Sequence, residues 1–237
     1  DYIVLGIIIA LTIFGLLALS SASLHLGNNN FEDSYYYLRH QLLYGLLPGI
    51  IGFIIAYRIQ CESYRKIALP LIIGNMALLF LIFTPLGVTL GGAGRWITIG
   101  GLTFQPGEFL KISLVIYLAA WLSGNQERQK KFLLGTLPLV ILLGILGATL
   151  LIQSSTSMFA MLLGTSCIMY FGSGAKLRYL LSIMLIGAIT IGIVSFATPY
   201  RLKRIATFFN PEANPQSTGF HINQAQTAIG AGGIFGA

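Results

Sequence analysis

Long apolar runs alternate with short polar breaks along this chain. Seven such segments stand out, at 2–24, 41–57, 67–89, 106–123, 134–152, 156–172 and 178–199. Each is near the length an α-helix needs to cross roughly 30 Å of hydrocarbon at about 1.5 Å per residue. The pattern predicts an all-α fold, a polytopic transmembrane helical bundle. Gln153, Ser154 and Ser155 alone separate the fifth and sixth segments. The chain there either turns tightly or runs on as one long broken segment.

Composition supports lipid as the solvent. Hydrophobic residues make up 55% of the 237 positions and charged residues 9%, against about 25% charged in soluble domains. Mean hydropathy is +0.80. The net charge of +7 then reports topology and contact with the headgroups of membrane lipids, and nucleic acid is not an expected partner. Cys61 and Cys167 lie far apart without pairing or metal spacing and read as incidental. The chain begins at Asp1 without Met and ends at Ala237 in a glycine-rich stretch, which reads as a fragment of a longer protein, a single incomplete integral-membrane domain.

The basic residues set an orientation. Arg58, Arg65 and Lys66 lie in one break, Arg128, Lys130 and Lys131 in another, and Lys176 and Arg178 in a third. These breaks alternate with ones holding only Arg39 or Arg95, or nothing. The positive-inside rule places the basic loops and the N-terminus in the cytoplasm. The seventh segment then delivers residues 200–237 to the outside, where Arg201, Lys203 and Arg204 run against the rule. Leu202, Ile205, Ala206 and Phe209 recur between them at helical spacing, as in an amphipathic helix lying in the outer interface. These cations either touch lipid phosphates in general or hold a specific anionic, lipid-linked substrate.

Three stretches carry candidate chemistry. In Gly91–Lys111 the glycines allow tight backbone, Pro106 can open a helix, and Glu108 falls in its first turn. Lys111, three residues on, shares its face. Charges in a span usually face a partner or a wet cavity, so the two either pair to fix the helix or floor a polar cavity open to the outside. Gln153, Ser154, Ser155, Thr156 and Ser157 form a second polar cluster at the same expected depth. The third runs from Pro199 through Asn210-Pro211 and Asn214-Pro215 to Gly236. Its His221 is a general base in principle and a plain loop residue by default.

Together these stretches resemble the SEDS family, the FtsW, RodA and SpoVE proteins of bacterial wall synthesis, with details nearer FtsW. Ser20-Ser-Ala-Ser closes the first segment as in that family. Gly94-Arg-Trp-Ile and Phe104-Gln-Pro-Gly-Glu-Phe-Leu-Lys111 resemble its RWI…QPSE..K signature, with Gly107 in place of Ser. Tyr200-Arg-Leu-Lys-Arg-Ile, Phe209-Asn-Pro, Gly219-Phe-His-Ile-Asn-Gln and Ile229-Gly-Ala-Gly-Gly-Ile-Phe-Gly are similar to its large extracellular loop, which would begin at 200–237.

The resemblance implies ten spans, of which seven are present, in the bacterial inner membrane. It also implies a peptidoglycan glycosyltransferase that polymerises lipid II, a disaccharide-pentapeptide on undecaprenyl pyrophosphate, for wall growth and division. Its implied partner is a class B penicillin-binding protein transpeptidase. A lipid II flippase and a non-catalytic division scaffold are the alternatives.

The family's proposed catalytic Asp would lie beyond Ala237, so the catalytic residue is unknown here and residues 1–237 alone are expected to be inactive. Where the family usually reads Gln-Pro-Asp-Leu-Gly-Thr, this chain has Gln153-Ser-Ser-Thr-Ser-Met158, with Ser155 at the Asp position. The candidates for substrate binding or the cavity are Arg95, Gln105, Glu108, Lys111, Gln153, Ser155, Arg201, Lys203, Arg204 and Gln224. A divalent cation could assist the leaving pyrophosphate.

Overall fold

The computed structural model describes residues 1–90, 93–100, 102–124, 126–129, 131–197, 202, 206–207 and 219–232. It divides into two compact units, Asp1–Ser63 and Tyr64–Ala237.

The first unit holds α1 (Tyr2–Ala22), α2 (Leu24–Phe31) and α3 (Tyr36–Arg58). Helix α1 is apolar on every side and buries none of its residues within the chain, which suits a helix solvated by lipid. The link from α2 to α3 is locally fastened. Asp33 pairs with Arg39 at 2.9 Å, and Phe31 stacks on Tyr36 with centroids 3.7 Å apart. Within α3, Leu42–Leu46 forms a π turn just before Pro48. A proline ring clashes with the carbonyl four residues back and offers no N–H; the wider turn gives that carbonyl room.

Helix α4 (Cys61–Leu81) starts in the first unit and continues in the second, which also holds strands β1 (Gly87–Leu90), β2 (Ala93–Ile99) and β3 (Leu102–Phe104), then α5 (Pro106–Leu122) and α6 (Gln126–Gln129). After these come α7 (Phe132–Ile152), α8 (Thr156–Gly172), α9 (Leu177–Phe196) and α10 (Phe220–Gly232). Pro138 in α7 again follows a π turn, Phe132–Thr136. Helix α8 packs against α5, α7 and α9. Its buried residues Phe159, Leu162, Ser166 and Tyr170 recur every three or four positions. They meet a matching stripe on α5, Leu110, Leu114 and Leu118. Phe109 and Ile112, on the other side of α5, are exposed and face lipid.

Helices occupy all seven expected segments, with α2, α6 and α10 as additions and one correction. Helix α2 follows the first segment directly. The expected span 67–89 ends at Leu81, and its last residues enter a small antiparallel sheet of order β1-β2-β3. Ile82 and Ile97 are buried there. Their apolar character serves a sheet-covered core, and hydropathy alone cannot distinguish that from a longer span.

Candidate functional site

The sheet delivers two candidate residues. Val88 pairs with Trp96 and Thr89 with Gly94, so Arg95 is the extra residue of a β-bulge on β2. Bulges re-aim a side chain out of the strand's alternation. Arg95 Nε is buried with no hydrogen-bond partner. Gly100, at φ +60, turns β2 into β3, where Thr98 and Thr103 hydroxyls meet at 3.1 Å. Gln105 follows in extended conformation as the N-cap of α5, and Pro106 opens the helix, where its missing N–H matters least.

Glu108 then occupies the first turn of α5, where a carboxylate complements the positive helix end. Its Oε2 pairs with Lys111 Nζ at 2.7 Å. Both side chains keep substantial exposure, 56% for Glu108 and 32% for Lys111. An exposed pair of this kind contributes roughly 0–1 kcal/mol to stability, so fold stability alone gives little reason for it.

The turn between α7 and α8 is tight. Ser155 N donates to the Leu150 carbonyl at 2.9 Å and Ser154 N to Leu151 at 3.1 Å, with Ser154 left-handed at φ +58. This pair of bonds is a Schellman motif. A proline could not occupy position 154 in this turn, because the φ is positive and the N–H is used. Gln153 turns inward and its Nε2 donates to the Leu79 carbonyl at 3.2 Å, capping the end of α4. Ser155 Oγ and Thr156 Oγ1 are buried without partners.

The polar stretches at 105–111 and 153–158 meet at one point. A Cβ placed on Gly107 would lie 3.1 Å from Met158 Cε and 3.6 Å from Gln105 Nε2. The start of α5 and the start of α8 are therefore neighbours. Arg201, Lys203 and Arg204, with the expected interfacial helix around them, lie outside the described residues; Leu202, Ala206 and Thr207 of that stretch are helical. Gln224 is exposed on α10. No three His, Cys, Asp or Glu among the described residues come together, and Glu108 already faces Lys111.

Two buried polar groups escaped the sequence reading. Asn75 Nδ2 donates to Ser113 Oγ at 3.0 Å, joining α4 to α5. Asn75 is a polar residue deep in an apolar run, and that was the available signal. At the far end of α5, the Gln129 side chain donates to the Leu122 carbonyl. Tyr170 OH donates to the Gln129 carbonyl at 3.1 Å and meets Thr136 Oγ1 at 2.9 Å. These bonds gather the end of α5, the start of α7 and the end of α8. The 123–131 and 173–176 loops thus share one end of the helices, and Gln105–Lys111 and Gln153–Ser155 share the other.

This architecture is that of a polytopic helical membrane protein with a polar, charged site at the ends of its spans. The chain belongs to the FtsW/RodA/SpoVE family: the family model described as "Cell cycle protein" matches residues 2–237. It is 37% identical over 237 residues to "Probable peptidoglycan glycosyltransferase FtsW" of Geobacter sp. (strain M18), covering all of this chain and 64% of that protein. It is 31% identical over 240 residues to "Stage V sporulation protein E" of Bacillus subtilis (strain 168), again covering 64% of it.

Among solved structures, one described as "Structural coordination of polymerization and crosslinking by a peptidoglycan synthase complex" superposes with a TM-score of 0.68 at 26% identity, over 93% of this chain and 66% of that one. The Thermus thermophilus rod shape determining protein RodA superposes with a TM-score of 0.55 at 25% identity, over 75% and 58%. The chain thus spans less than two thirds of the length of these curated relatives.

Proposed function

We propose that the whole protein is a peptidoglycan glycosyltransferase that polymerises lipid II in the bacterial inner membrane. Its N-terminus and the 123–131 and 173–176 loops are cytoplasmic, and the Glu108–Lys111 end opens outward. The observation that carries this reading is the ion pair at the start of α5, at the helix end opposite the basic loops, in a chain 37% identical to a protein named as such a transferase.

In the reaction, a sugar hydroxyl oxygen of one lipid II bonds to the anomeric carbon of another. The bond from that carbon to the pyrophosphate oxygen breaks and its electron pair leaves with the pyrophosphate. The hydroxyl proton passes to a general base. Arg95 and Lys111 stabilise the charge growing on the leaving group, since preorganised cations act most strongly where charge develops. Glu108 holds Lys111 in position. Arg201, Lys203, Arg204 and Gln224 line the approach of the lipid-linked donor. A class B penicillin-binding protein crosslinks the product beside it.

The test is lipid II turnover by the full-length protein in proteoliposomes, with and without that partner. Glycan strands are the expected product. Lipid II translocation without polymer would make the protein a transporter, and no glycan in either setting would make it a scaffold.

A further inference from the structure

We propose that α7, α8 and α9 form a binding site for an anionic phospholipid of the leaflet at the basic-loop end, with its phosphate among Arg128, Lys131, Lys176 and Arg178 and one acyl chain in the groove between α7 and α9.

The headgroup half is assembled from loops about 50 residues apart in sequence. Tyr170 ties Gln129 and Thr136 to the end of α8, and Phe132 packs on Tyr179 with ring centroids 5.8 Å apart. The Arg178 guanidinium lies over the Tyr179 ring at 4.9 Å and donates to its hydroxyl. All four cations are exposed, and among the described residues none pairs with a carboxylate. Glu127 is the one acid in these two loops. Lys176 and Arg178 also sit at the start of α9, with no acid in its first turn. Cations there oppose the helix dipole, and a lipid phosphate would relieve both repulsions. Exposed Phe132 and Leu177 beside them suit the boundary between headgroups and acyl chains.

The tail half starts one to two turns deeper. A cavity of about 220 Å³ runs between α7 and α9 over a floor on α8. It runs from Val140 and Ile183 toward Leu151 and Thr190, with Gly144 and Gly187 in its walls and Phe159 and Leu163 on its floor. Compact ligands take pockets of roughly 300–1,000 Å³; this narrow, apolar trough suits a single hydrocarbon chain. Gly144 keeps it open, since nothing lies within 4 Å of where its Cβ would stand. The four cations stand beyond the Val140–Ile183 end of this cavity, and their charge selects an anionic phospholipid of that leaflet as the occupant.

The test uses full-length protein extracted from vesicles of equal phosphatidylglycerol and phosphatidylcholine, with retained lipids counted by native mass spectrometry. Wild type is expected to keep phosphatidylglycerol over phosphatidylcholine by at least fivefold. The R128Q/K131Q/K176Q/R178Q variant should fall to no preference. The R58Q/R65Q/K66Q variant, which removes three cations from another loop, should match wild type. Gly144→Leu, which fills the groove and leaves every charge in place, should at least halve the retained phosphatidylglycerol. An unchanged preference in the quadruple variant overturns the proposal, as does an equal fall in both charge variants. Wild-type retention in Gly144→Leu overturns the acyl-chain assignment. Displacement of phosphatidylglycerol by equimolar undecaprenyl pyrophosphate would make this a substrate site and also overturn it.

Discussion

Gln153 Nε2 donates to the Leu79 carbonyl across 3.2 Å, tying the turn between α7 and α8 to the end of α4. Gln153 is 3% exposed, so its side chain braces the fold and does not line an open cavity. A Gln153→Met substitution keeps the volume and removes this donor, leaving the Leu79 carbonyl with its longer bond from Ile82 N at 3.4 Å. The expected loss is about 0.5–1.5 kcal/mol, read as a lower unfolding temperature in detergent, with lipid II turnover per folded molecule unchanged.

Ser154 holds the left-handed position of that turn without being glycine. Ser154→Gly should stabilise the protein by about 0.5–1 kcal/mol, because it removes the Cβ strain. Ser154→Pro, the residue the family motif carries there, should cost about 3 kcal/mol or more, since the turn needs a positive φ and the N–H. Thermal unfolding of the two variants side by side checks both signs.

Gly107 and Met158 depart from the family motif together, and they face each other. A Cβ at 107 would stand 3.1 Å from Met158 Cε, tighter than an ordinary contact, so the methionine tail would have to give way. Gly107→Ser alone should displace the Met158 methyl at little cost, and Met158→Thr alone should leave a small void that lowers stability. The double variant should recover most of the loss. A double-mutant cycle should show coupling of at least about 0.5 kcal/mol; additive effects would mean the two positions are independent.

Ser113→Ala strips Asn75 of its partner across the α4–α5 contact. Hydrogen bonds between membrane helices average about 0.6 kcal/mol and reach about 1.7. The expected destabilisation lies in that range, again measured by unfolding in detergent.

Apolar run length located the spans because lipid demands a continuous apolar helix of nearly fixed length. Thr156–Gly172 matches its expected segment at both ends. The end of α4 was not legible, because Phe83–Leu90 is as apolar as a span while serving a sheet; Thr84-Pro85 was the local sign of the break. The pairing of Glu108 with Lys111 followed from helical spacing. The bulge that singles out Arg95 and the contact between Gly107 and Met158 did not. Both depend on register and on packing between distant segments, which one sequence does not encode locally. The serine cluster at 153–157 read as one polar feature, yet its members diverge: Gln153 braces α4, Ser154 shapes the turn, and Ser155 has a buried hydroxyl with no partner.

The central claim is that the charged start of α5 serves glycosyl transfer. The most direct measurement is the rate of glycan formation from lipid II by the full-length protein carrying Lys111→Ala, normalised to folded protein. Loss of a preorganised cation at a site of developing charge predicts a fall of roughly 100-fold or more, with unfolding temperature nearly unchanged because the Glu108–Lys111 pair is exposed. A Lys111→Ala protein that polymerises lipid II at the wild-type rate would contradict the account.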